Sequence, residues 1–106
     1  MQISRQTASM LSLCQRAGFM VSGEQAVELA VKDKRAKLII IAQDASENTK
    51  KKFLNKSNHY NVNVVVYGSK QDLSNAVGKE NKAVFAVTDN DGFDQRILQL
   101  TDPALS

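Results

Sequence analysis

Few residues in this 106-residue chain are suited to covalent chemistry, and Cys14 and His59 are its only cysteine and histidine. A thiolate beside an imidazole is a nucleophile beside its base, and a third group would have to orient the ring. Cys14, however, falls on an apolar helical stripe with Leu11 and Ala17, where a cysteine acts as an inert small hydrophobe. His59 precedes Tyr60-Asn61 at a helix end, where an imidazolium complements the helix dipole. A single cysteine excludes an intrachain disulfide framework, and a single histidine leaves a zinc site short of ligands. Asp89, Asp91 and Asp94 resemble half of a calcium loop. Gly92 is out of place for an EF-hand and no closing glutamate follows, so Asp89 or Asp91 reads as a helix cap. Gly18 and Gly23 are too far apart for a dinucleotide fingerprint, and no Gly-Lys-Ser/Thr phosphate loop occurs. The chain reads as a non-enzyme with no cofactor, no metal and no small-molecule substrate.

The cations are the stronger signal. The formal net charge is +3, but it is unevenly spread. Residues 1–82 hold 13 of the 14 Lys/Arg and 7 of the 11 acids, a net +6, whereas residues 83–106 carry a net −3. Between Lys32 and Lys56, eight basic residues face three acids. Lys50, Lys51 and Lys52 fall early in a helical segment, where the helix dipole disfavours cations, so helix stability does not account for them. A helix start at Gly23 brought close to Lys32 and Lys37 would combine amide donors with cations in one groove, suited to phosphates and base edges.

The elements that must position these groups follow from periodicity. Residues 4–17 repeat apolar side chains at helical steps, and Gly18 stops that helix. Phe19-Met20-Val21 is a short extended piece, expected at a sheet edge and antiparallel. Ser22 or Gly23 caps a second helix, with Ala26, Val27, Ala30 and Val31 as its buried stripe and a cationic end over 32–35. Leu38 to Ala42 is continuously apolar, as in a strand covered on both faces. Asp44 to Asn48 offers several N-caps for a helix reaching about Ser57. Val62–Tyr67 is expected to be a second buried strand. Ser69 caps a helix over 70–77, which Gly78 ends. Ala83–Val87 is a strand, and Phe93 to Leu100 a terminal helix closed by Pro103. This alternation predicts a single α/β domain over 1–106, a three-layer α/β/α sandwich with a four-stranded mixed sheet. A chain of this length buries enough surface for a real core. No run approaches the ~18 apolar residues of a membrane span, and the N-terminus lacks a secretory apolar region, so a cytoplasmic protein with no membrane partner is expected.

Several segments in order resemble a known family. They are Val21-Ser22-Gly23-Glu24-Gln25-Ala26-Val27, Ala36 to Ala45, Asn61-Val62-Asn63-Val64, Ser69-Lys70-Gln71-Asp72-Leu73 and Ala76-Val77-Gly78. Together they are similar to the kink-turn RNA-binding ribosomal-protein superfamily of archaeal and eukaryotic large subunits. The Asp44 to Lys52 stretch resembles its bacterial YlxQ-like branch. The likeness spans roughly residues 4–100. It implies a non-catalytic protein that binds structured RNA, with ribosomal RNA and ribosome association as candidates. A monomer is expected.

The resemblance also implies site residues. In the family a Gly-Asn-Glu-x-x-Lys type of motif at the start of the second helix reads sheared G·A pairs in a sharply bent RNA loop. The matching positions are Gly23, Glu24, Gln25 and Glu28. Gly23 would let RNA approach the backbone, and Gln25 would accept and donate at a base edge. Glu24 stands where the family usually has Asn or Lys, and Glu28 where it has Lys. Lys32 and Lys70 match basic family positions, and Lys50 lies on the rim of the implied surface. The second specificity loop matches Gly78 to Val84, where Lys79, Asn81 and Lys82 would contact RNA and Val84 would pack on a base. A carboxylate cannot donate a hydrogen bond and repels phosphate. Glu24 and Glu28 therefore support a second reading, a protein-interaction module on the same fold with kink-turn recognition lost.

Overall fold

Four short runs rich in β-branched residues pair into one sheet in the computed structural model, which describes residues 3–88 and 92–102. They are β1 (Met20–Ser22), β2 (Leu38–Ile41), β3 (Asn63–Val66) and β4 (Val84–Val87), in the spatial order β1-β4-β2-β3. β2 runs parallel to β3 and antiparallel to β4, and β1 lies antiparallel to β4 at an edge, as expected of that short piece. Every residue of β2 and β4 is buried. Both strands are central and covered on each face, so their sequences are apolar without alternation. β3 departs from the expected buried strand. It forms the other edge, and only Val65 is buried while Asn63 and Val66 are exposed. Val-rich sequence favours the extended backbone wherever the strand sits, so composition alone did not reveal the edge.

Five helices complete the fold: α1 (Arg5–Arg16), α2 (Glu24–Lys32), α3 (Glu47–Tyr60), α4 (Lys70–Ala76) and α5 (Phe93–Thr101). Ser4, Ser46 and Ser69 cap α1, α3 and α4, each hydroxyl accepting the N–H three residues on. α3 continues past Ser57 to Tyr60 and ends at Asn61, which takes a left-handed conformation with φ 58°. A short amide side chain tolerates that conformation. α2 packs on β1 and β4, α3 on β2 and β3, and the two helices touch. α1 packs against α4 and α5 in the other helical layer. The result is the three-layer sandwich. Its core runs from Leu11 and Val27 through Ile39, Ile41 and Phe85 to Phe53 and Ile97, all at most 2% exposed. Asp89, Asp91 and Pro103 lie outside the described residues, and Asp94 sits in the first turn of α5.

The strand register gives the molecule two distinct ends. Ile41 pairs with Val66 and Val84, and Ser22 with Phe85. The starts of α2, α3 and α4 therefore gather at that end. Leu38 pairs with Asn63 and Val87 at the opposite end. Lys37 and the finish of α3 lie there.

Candidate nucleic-acid interface

Three chain reversals are stitched together where the helices start. The Gly23 N–H donates to the Val84 carbonyl at 2.8 Å, that of Ala42 to Ala83 at 2.9 Å, and that of Gln43 to Gly68 at 2.7 Å. Gly23 caps α2 with φ 94° and ψ 155°, a region open essentially to glycine alone, and no side chain occupies the helix start as a cap. The Nζ of Lys82 lies 3.6 Å from where a Cβ of residue 23 would stand. The lysine thus lies over the first turn of α2, and the two segments expected to read RNA are in contact.

The loop that carries Lys82 is held from below by Ser74 of α4. The Ser74 carbonyl accepts the Lys79 N–H at 2.8 Å. Its hydroxyl accepts the Lys82 N–H at 2.9 Å and donates to the Lys82 carbonyl at 3.1 Å. Lys79 and Asn81 are left exposed between these anchors, Asn81 with φ 53°. A cavity of about 320 Å³ separates this loop from the start of α4, with Lys70, Lys79 and Asn81 on its walls beside Asp44 and Glu80. The Asp44 carboxylate accepts the Lys70 backbone N–H at 2.8 Å, fixing the start of α4.

Glu24 and Glu28 are not bare charges. The Thr49 hydroxyl donates to Glu24 Oε2 at 3.1 Å, and Lys52 Nζ lies 3.7 Å from its Oε1. Lys56 and Lys52 approach Glu28 Oε2 to 3.1 and 3.4 Å. The bond from Lys56 holds the Glu28 carboxyl below its ordinary range, outweighing an opposing push from desolvation. Two lysines on α3 thus face two carboxylates on α2. Thr49, Lys52 and Lys56 were not singled out from the sequence as partners of these acids. The signal was present: Glu24 and Glu28 are four residues apart, as are Lys52 and Lys56, so each pair lies on one face of its helix.

The other expected residues divide. Gln25 is exposed in the first turn of α2. Lys50 sits in the first turn of α3, 3.7 Å from Glu47. Lys32 is the last residue of α2, about 12 Å along the axis from Glu24 at ~1.5 Å per residue. Lys37 is farther still, its N–H bonded to Val87 at the opposite end of the sheet. The groove expected to join Gly23 with Lys32 and Lys37 does not form, because α2 carries the chain back along the sheet before Lys37. Val84 is also corrected: it is 0% exposed, a core residue of central β4, and does not lie on the surface where a base would sit. The exposed part of the loop ends before it. Cys14 is buried in α1, its thiol donating to the Phe19 carbonyl, whereas His59 is exposed near the end of α3 in the other layer. Among the described residues, no cluster of three or more His, Cys, Asp or Glu is placed to hold a metal ion. No described helix is long and apolar enough to cross a membrane.

Comparison with known proteins finds relatives that match over most of the chain. RNA-binding protein YlxQ of Bacillus subtilis (strain 168) is 41% identical over 93 residues, covering 88% of this chain and 92% of that one. RNA-binding protein YlxQ of Enterococcus faecium is 36% identical over 100 residues, covering 93% and 95%. Among solved structures, a Bacillus halodurans protein of unknown function superposes with a TM-score of 0.86 at 36% identity, covering 92% of this chain and 97% of that one. The Giardia lamblia 15.5kD RNA binding protein shares the fold, with a TM-score of 0.74 at 17% identity over 93% and 88% of the two chains. The model of the ribosomal protein L7Ae/L30e/S12e/Gadd45 family matches residues 5–97, which hold the whole sheet, the first four helices and the first half of α5. The chain belongs to the ribosomal protein L7Ae/L30e/S12e/Gadd45 family.

Proposed function

We propose that this protein is a non-catalytic, cytoplasmic RNA-binding protein that recognises a sharply bent, kink-turn-like RNA and works in association with ribosomal RNA. The observation that carries the reading is the seating of Lys82 over Gly23. It joins the start of α2 to the loop before β4, so one RNA surface meets both. Gln25 supplies an amide that both donates and accepts at a base edge. Lys50, Lys70, Lys79 and Lys82 sit on phosphates around it, and Asn81 offers a second amide. Glu24 and Glu28 do not repel the RNA as free acids would, because Lys52, Lys56 and Thr49 already occupy them. Lys32 meets phosphates farther along α2.

The test is a titration of one kink-turn hairpin and one straight duplex of equal length at two salt concentrations. Tighter binding to the hairpin at both, weakening steeply with salt, is expected. Equal affinity for the two RNAs removes the bent-RNA reading. Binding to neither at low salt removes RNA recognition altogether. A protein partner that survives nuclease treatment would then favour the interaction-module reading.

A further inference from the structure

The recognition end uses only part of the chain's positive charge. Residues 48–71 hold five lysines and not one Asp or Glu. Lys51, Lys52 and His59 are exposed along α3, and Lys56 is partly so. Of the acids beside them, Glu24 and Glu28 are engaged by Lys52 and Lys56, and Glu47 by Lys50. Lys51 has no ion-pair partner among the described residues.

At the finish of α3 the same character continues around Tyr60. Its ring borders two cavities. One, of about 450 Å³, is lined by Lys52, Asn55, Lys56 and His59. The other, of about 380 Å³, has Lys34, Lys37, Asn61 and Asn63 on its walls beside the apolar Val31, Ala36 and Val62. The His59 ring meets Tyr60 edge-on with centroids 4.7 Å apart. Lys34 and Lys37 also lack an ion-pair partner among the described residues. Cations therefore follow one path, from Lys50 at the recognition end past Lys51, Lys52 and Lys56 to Lys34 and Lys37. Thr49 to Tyr60 alone is about 16 Å at ~1.5 Å per residue. Ammonium groups interspersed with asparagine amides, with the flanking Glu47 and Asp33 paired to Lys50 and Arg35, suit a sugar–phosphate backbone gripped without base reading.

We propose that the outer α2–α3 face is a phosphate-binding track for the RNA helix that flanks the recognised bend, with Lys51, Lys34 and Lys37 as its contacts. This rests on the RNA-binding reading above and extends its footprint to the far end of the sheet. None of the three lysines is among the residues assigned to recognition of the bend.

The test compares the wild-type chain with Lys34→Gln/Lys37→Gln/Lys51→Gln on two kink-turn hairpins, one with a short flanking stem and one with a stem long enough to pass Tyr60. The wild type should bind the long-stem hairpin more tightly, and the variant should lose that advantage while keeping wild-type affinity for the short-stem RNA. Three lost contacts at roughly 0.9 each in salt slope mean that a fourfold rise in salt weakens the wild-type long-stem complex about 40-fold more than the variant's. Unchanged short-stem binding also shows that the variant is folded. Equal wild-type affinity for the two hairpins, or unaltered long-stem binding by the variant, overturns the track while leaving recognition intact. Binding of the wild type to neither overturns both.

Discussion

Replacing Ser74 by alanine tests how a residue buried beneath the interface controls it. Ser74 is 2% exposed, and its hydroxyl makes two hydrogen bonds to the backbone of Lys82. Its carbonyl bond to the Lys79 N–H survives the substitution. Ser74→Ala removes the other two and leaves the Lys82 N–H and carbonyl without that partner. At a net ~0.5–1.5 kcal/mol per bond, the loss is about 1–3 kcal/mol. For a domain of this size, at ~5 °C per kcal/mol, the melting temperature should fall by about 5–15 °C. The substitution also frees the loop over Lys79–Lys82, so RNA must order it on binding at an entropic cost. Affinity for a bent RNA should therefore drop although Ser74 lies beneath the surface. Thermal unfolding by circular dichroism and an RNA titration well below the melting temperature measure the two effects separately. An unchanged melting temperature would show that the hydroxyl does not hold the loop. A lowered melting temperature with wild-type affinity would show that the loop takes no part in recognition.

Gly23→Val forces a β-branched residue into φ 94°, ψ 155°. It should cost about 1–3 kcal/mol in urea unfolding and weaken RNA binding as the start of α2 shifts. Phe53→Ala empties a fully buried site between α3 and the sheet, and chemical denaturation should register about 3–5 kcal/mol of lost stability. Gln25→Ala should weaken binding to bent RNA more than to duplex, and Lys50→Ala both alike, in parallel titrations. Glu28→Gln releases Lys56 and leaves Lys52 to Glu24 alone, so RNA affinity should rise and its salt dependence steepen. The same carboxyl titrates below its ordinary value of 4.5 when folded, so its ion pairs stabilise fully above that value. That contribution disappears as pH falls through the lowered value, and urea midpoints of Glu28→Gln should show a shallower acid limb than wild type.

How legible was each part? The alternation of elements was plain because burial on both faces forces continuous apolar runs in β2 and β4, and Ser69 marks the start of α4. The edge position of β3 was not, since Val64, Val65 and Val66 favour extended backbone in any strand. Gly23 and Gln25 were readable as the start of α2, and only the resemblance of the surrounding segments offered them as RNA contacts. Val84 was misplaced because a loop motif ran one residue into a strand whose burial only the sheet defines.

The sequence by itself determined that this is one α/β domain, basic over its first 82 residues, with two acids where the family carries donors or cations. Those properties are local, set by side-chain period, caps and charge along the chain. Only the tertiary structure decided what the acids mean. Glu28 and Lys56 are far apart in sequence and 3.1 Å apart in space, because α2 and α3 lie side by side on one face of the sheet. Lys37 and Gly23, close in sequence, sit at opposite ends for the complementary reason that a helix returns the chain along the strands. Charge is written residue by residue, but its partner is chosen by the packing of the layers.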